Sequence, residues 1–214
     1  MRRIVAAVAF ALSFAVAAPA SADVFADFKQ GQLLVGDGKN AEAVALFTTI
    51  IDEGKLTPDW MPFAYYYRGQ AQRNLGELSK AIADYEQAVA LKADIAPAHY
   101  EMGLALSAQK RYRLAIDAYT QAIKLTPDNA NFWYARCGAK SLVNDNAGAR
   151  EDCIKAVQLK PDFVDAIVTL GRAYEDLGQF ALALQTYETA LLIDPDNRRA
   201  REGIDYIKSL ESAQ

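Results

Sequence analysis

Side chains that most often do chemistry are scarce in this chain of 214 residues, which holds one histidine, His99, and two cysteines, Cys137 and Cys153. A lone histidine leaves no His/Cys/Asp set at metal-ligand spacing. The cysteines do not form a Cys-x-x-Cys pair, which leaves thiol-disulfide redox chemistry only as a remote alternative. Neither a Gly-x-Ser-x-Gly elbow nor a glycine-rich phosphate loop occurs. The sequence therefore offers no catalytic residue, no metal site and no cofactor motif, and His99 reads as a packed or half-exposed ring. Excess positive charge is missing too: 23 basic against 27 acidic residues give a formal net charge of -4. An acidic surface repels phosphate backbones, so no nucleic-acid partner is expected, and no small-molecule substrate is indicated.

Long apolar runs are equally rare. The one present, Ile4 to Ala18, follows Arg2 and Arg3 and precedes Pro19-Ala20-Ser21-Ala22. A basic start, an apolar stretch and small residues in that order describe a secretory leader. Residues 1–22 are read as a signal peptide cut between Ala22 and Asp23, the alternative being an uncleaved anchor. The run is shorter than the roughly 20 residues of a spanning helix. A soluble periplasmic or secreted protein of bacterial type is expected, touching a membrane only indirectly through a partner.

Repetition is what the sequence has in abundance. The run Ala81-Ile82-Ala83-Asp84-Tyr85-Glu86-Gln87-Ala88 returns 34 residues later as Ala115 to Ala122, and again as Ala183 to Ala190, with a weaker copy from Ala149 through Cys153 to Ala156. Gly69, Gly103 and Gly171 share one register; Pro127, Pro161 and Pro195 share another. A small residue at position 8, Ala at 20, an aromatic at 24, Ala at 27 and Pro at 32 resemble the tetratricopeptide repeat (TPR) family. In that frame the repeats run 62–95, 96–129, 130–163 and 164–197. A degenerate first copy at 24–57 carries Gly31, Ala43 and Phe47, and Pro58 to Met61 are inserted after it.

The resemblance implies an all-α fold, a right-handed superhelical α-solenoid of about five TPR helix pairs. Small residues let the two helices of a pair approach, and the aromatic fills the space beside them. Gly38, Gly76 and Gly178 fall where a left-handed residue ends the first helix; Asn144 is the next-best type, and Lys110 departs from the pattern. Proline stops the second helix, and Asp128, Asn129, Asp162, Asp196 and Asn197 are candidate caps for the next one. Each pair buries its second face only against a neighbour, so the ends need covers. Residues 198–214 supply one, with Ala200, Ile204, Ile207 and Leu210 on a single stripe.

The family uses such stacks as protein-protein interaction scaffolds, whose first helices line a concave groove through positions 2, 5, 9 and 12. Position 5 is Phe28, Tyr66, Tyr100 and Tyr134, then Val168; Phe25 and Phe63 at position 2 extend this ladder. Gln70 and Arg172 occupy position 9, and Asp165, Glu175 and Asp176 surround Arg172. The expected ligand is an extended or helical segment with apolar anchors followed by basic residues. Tyrosine at position 5 also packs against the neighbouring helix in this family, and that alternative stays open. The Lys and Asn set that grips a terminal carboxylate in some members is not matched, because Phe28 and Gln32 stand there. A second reading makes the protein a structural subunit of an envelope assembly, docked by its convex face or cap. Cys137 and Cys153 fall at positions 8 and 24 of one repeat. Antiparallel helices turning near position 16 set such residues opposite, so a disulfide is expected in an oxidising compartment; two buried thiols acting as small apolar residues are the alternative.

Overall fold

A computed structural model describes residues 20–212. The leader expected over 1–22 lies outside the described residues as far as Pro19. The described residues form eleven α-helices and no strand: α1 (Ala20–Gly36), α2 (Asn40–Glu53), α3 (Met61–Asn74), α4 (Leu78–Leu91), α5 (Ala96–Ala108), α6 (Tyr112–Leu125), α7 (Ala130–Ser141), α8 (Asn146–Leu159), α9 (Val164–Asp176), α10 (Phe180–Ile193) and α11 (Arg198–Ser212). Each odd helix packs on the even helix that follows, and each pair packs on the next. Among the described residues none of these helices is long and apolar enough to cross a membrane.

The tight approach within a pair has one recurring cause. A Cβ added at Gly31, Gly69, Gly103 or Gly171 would lie under 3.0 Å from a ring carbon of Phe47, Tyr85, Tyr119 or Tyr187 respectively. Ring and glycine are therefore one packing unit, with alanines such as Ala81, Ala115 and Ala183 fully buried beside them. Helix ends follow local chemistry. Gly38, Gly76 and Gly178 take positive φ between the helices of a pair, as do Asn144 (62°) and also Lys110 (61°). Lysine thus occupies the left-handed slot despite its Cβ, because the turn geometry is fixed by the two helices it joins. Of the five expected caps, Asn129 accepts from the Asn131 amide and Asn197 from the Ala200 amide. Helix α9 instead starts at an uncapped Phe163, while Asp145 caps α8 through the Gly148 amide.

Stacking is asymmetric. Odd helices touch their counterparts one pair along, from α1 against α3 to α9 against α11, whereas even helices have no such contact. The odd layer is therefore the compressed, inner side of the stack. The last pair is closed by α11, which buries Ala200, Ile204 and Ile207 against α9 and α10 and leaves the charged face to solvent.

Candidate partner-binding groove

The inner wall is built from odd helices alone, and the aromatic ladder lies along it in register. Each rung also has packing partners. Phe28 is only 1% exposed and sits against Phe47 and Tyr67, so its ring serves the core rather than the groove surface. Tyr66 rests on Tyr67 and Tyr85 with centroids 5.0 and 6.1 Å apart. Tyr100 meets Phe132 at 4.8 Å, and Tyr134 meets Phe163 at 4.8 Å. Val168 is buried. Phe25, Phe63, Tyr66, Tyr100 and Tyr134 are half-buried, each keeping part of its surface for solvent. Burial pushes the Tyr66 phenol up to about 12, with Glu101 adding to the shift, and raises that of Tyr100 for the same reasons. Glu101 itself is held above the usual carboxylate range by burial, offset in part by Arg73, whose Nε lies 2.8 Å away.

Three clefts open on this wall, the smallest, about 210 Å³, between α9 and α11 with Arg172, Glu175, Arg199 and Glu202 among its walls. Of the other two, the first, about 350 Å³, lies between α3 and the α4–α5 connection and is lined by Phe63, Tyr66, Tyr67, Lys92, Ile95 and Pro97. Lys92 stands 5.3 Å over the Phe63 ring. The second, about 470 Å³, lies between α7 and α9, with Tyr134, Gly138, Leu142, Asn146 and Arg172 among its walls. Gln70 is half-buried on α3 between the two aromatic ends, and Arg172 is exposed on α9. One acid of the expected acidic end is paired, Asp165 with Arg199 at 3.4 Å, while Glu175 keeps its charge and accepts from the Tyr187 hydroxyl at 2.8 Å. Asp176 stands with Arg172 on the second cleft. His99 is half-buried, its Nε2 3.0 Å from the Ala93 carbonyl oxygen, as a packed ring would be.

Sequence reasoning missed two features. Trp60, brought in by the four-residue insertion, stacks edge-on against Phe25 and Phe28 at 5.1 and 5.4 Å and enlarges the aromatic end of the wall. The other is a buried clasp that appears twice. Arg68 donates both Nε and Nη2 to Asp84 at 2.7 Å, and its Nη1 to the Thr48 hydroxyl. Arg136 does the same to Asp152 at 2.7 Å and to Thr120. The signal was available, since both Arg and Asp recur at twice the repeat length. Lys140 adds a third donor to Asp152 at 2.9 Å. One residue further along the same two helices, Cys137 and Cys153 are fully buried with Cα atoms 5.5 Å apart, a separation a disulfide can span.

Five stacked helix pairs with an inner groove define an α-solenoid interaction scaffold. Three sequence profiles described as the tetratricopeptide repeat or TPR repeat match residues 69–110, 96–129 and 143–203, together more than half of the sequence. The chain belongs to the tetratricopeptide repeat family. It is 28% identical over 156 residues to "BBSome complex member bbs-4" of Caenorhabditis elegans, covering 68% of this chain and 34% of that one. To "Heat shock protein sti1 homolog" of Schizosaccharomyces pombe it is 35% identical over 112 residues, 52% of this chain and 18% of that one. The chain thus spans only about a third or less of these relatives. Among solved structures, "MamA 41-end from Desulfovibrio magneticus RS-1" superposes with a TM-score of 0.74 at 20% identity, over 83% of this chain and 98% of that one. "YrrB: a TPR protein with an unusual peptide-binding site" gives 0.68 at 21% identity, over 78% and 84%. At these identities the superpositions carry the fold alone. Proteins of this family are generally non-catalytic interaction modules.

Proposed function

We propose that the protein is an exported, non-catalytic scaffold that holds a segment of a partner protein along the wall of odd helices. The observation that supports this most directly is that wall itself, with clefts of about 350 and 470 Å³ on one continuous face, the first bordered by the half-buried Phe63, Tyr66 and Tyr67 and the second by Tyr134. Half-buried rings keep apolar area available while their packed sides hold them rigid, which lowers the ordering entropy of binding. Export is argued from the leader, and in an oxidising compartment Cys137 and Cys153 form a disulfide across the fourth helix pair. N-terminal sequencing of the purified protein should begin at Asp23; intact Met1 on membrane material would make the leader an anchor.

A second reading, a structural subunit docked by its outer face, draws on the leucines that even helices leave to solvent, Leu192 at 84% exposed above all. Photo-crosslinking side chains placed at Gln70 and Leu142 on the inner wall, and at Leu192 on the outer, separate the two. Capture of one partner from the inner positions alone supports the groove. Capture from Leu192 alone replaces it with the subunit reading.

A further inference from the structure

Ten of the chain's 12 glycines have a reason within the molecule for being glycine. Gly38, Gly54, Gly76 and Gly178 have positive φ. At Gly31, Gly69, Gly103, Gly171 and Gly203 a Cβ would strike a ring, and at Gly148 it would strike the Asp145 carboxylate. Gly36 meets nothing within 4 Å and has no positive φ, but it is the last residue of α1, where the cost of a glycine inside a helix does not arise. Gly138 fits none of these cases. It lies inside α7, its φ is not positive, and a Cβ built on it would meet nothing within 4 Å. Glycine there weakens the helix relative to alanine. The open space faces the larger inner cleft, so the helix gives up stability where an outside group can approach its backbone.

The surroundings say what kind of group. Tyr134 and Ser141 on α7, and Leu142 at its C-terminal cap, stand three or four residues from Gly138, the spacings that put side chains together, and Leu142 is 60% exposed. Across the cleft, Arg172 has no carboxylate within 4 Å among the described residues. A donor is thus free across the cleft from a bare stretch of helix backbone, with an apolar side chain next to it.

We propose that Gly138 is the seat of a bound extended segment, whose main chain crosses α7 there. Its carbonyl accepts from Arg172, and an apolar side chain covers Leu142. The partner class is an extended polypeptide recognised largely through its backbone, with one apolar position. This rests on the groove reading above, and it moves the anchor from the aromatic ladder to the junction of α7 and α9.

The probe is a twelve-residue random peptide library displayed on phage and selected on the full mature protein, with the recovered peptide then synthesised and its affinity read by fluorescence anisotropy. Gly138→Ala should raise the melting temperature by about 2–4 °C, since helix propensity improves and nothing clashes. The same change should weaken the peptide at least about tenfold, and Gly138→Leu more, because only the ligand meets the new atoms. A peptide that binds wild type and Gly138→Ala equally, while the inner-wall crosslinker at Gln70 still captures a partner, overturns the seat and leaves the groove reading standing. Failure to enrich any peptide, with no capture from Gln70 or Leu142, removes both.

Discussion

Reduction of the proposed Cys137–Cys153 bond is the perturbation whose size follows most directly from the geometry. The bond would close a loop 16 residues long across a turn, and tethering a loop of that length removes about 3 kcal/mol of unfolded-state entropy. The Cα separation of 5.5 Å lies in the middle of the range disulfides adopt, so no backbone strain offsets the gain. Both thiols are fully buried, and once reduced they still fill their sites as small apolar groups. The whole loss should therefore appear as chain entropy, without a cavity contribution. For a chain of this size it corresponds to a drop in melting temperature of about 6–12 °C. The assay is helical circular dichroism during thermal and urea unfolding, on protein refolded with and without reductant, beside a thiol count in denaturant. A matched control replaces the pair with the ring-over-glycine unit of the other repeats, Cys137→Gly with Cys153→Tyr, and should melt at one temperature whether or not reductant is present. Two free thiols from unreduced protein, or a shift under about 2 °C, would refute the reasoning.

Gly103→Ala should destabilise by about 1–3 kcal/mol in urea titration, because the new Cβ would overlap the fully buried Tyr119 ring, the opposite outcome to Gly138→Ala. The phenols of Tyr66 and Tyr119 are raised from 10.0 to about 12, chiefly by burial, so the unfolded chain ionises first; the stability is intact below pH 10 and is lost as pH rises from there toward 12. Absorbance at 295 nm against pH should show these phenols titrating late, together with the loss of helical signal. Asp84→Ala strands the Arg68 guanidinium in a half-buried site and should cost about 3 kcal/mol or more, while Arg68→Met combined with Asp84→Ala should recover much of it; chemical denaturation of the two variants and the parent decides.

How far the sequence could be read depended on whether an interaction repeats. Glycine at position 8 and the aromatic at 24 are dictated by one packing unit copied along the chain, so the period alone exposes the helix pairs, the turns and the α11 stripe. The facing cysteines were readable for the same reason, since they replace both members of that unit at once. Position 5 was harder. Its aromatics recur, but recurrence does not tell a ring that faces solvent from one that faces the next helix, and Phe28 proved buried while Tyr66, Tyr100 and Tyr134 are divided between the two. Trp60 lay outside the period altogether, in the insertion. Gly138 carried no signal in the sequence, because a glycine explained by nothing is recognised only after the others have been explained.

The charges of the groove obey the same arithmetic as its core, and this is what defines the binding surface. Arg68 with Asp84 and Arg136 with Asp152 occupy positions 7 and 23 of alternate repeats, where the repeats between and after them hold Met102 with Ala118 and Leu170 with Thr186. Arg–Asp clasps and uncharged pairs alternate, and each guanidinium makes its remaining contact to a threonine of the preceding repeat, Thr48 or Thr120. Arg199 with Asp165 joins like positions of successive units, and Tyr187 with Glu175 ties positions 24 and 12 of one unit. Each ion pair offsets an acidic charge that composition would have assigned to the ligand, whereas the neutral Tyr187 hydroxyl leaves the Glu175 carboxylate charged. The expectation of basic residues in the partner arose from counting Asp165, Glu175 and Asp176 as free. Neither Asp165 nor Glu175 lines the second cleft, where Asp176 stands with Arg172 and Arg199, and acidic charge does not dominate there. A wall of that character selects for backbone shape and one apolar side chain rather than for charge, and partner affinity should accordingly change little between low and physiological salt.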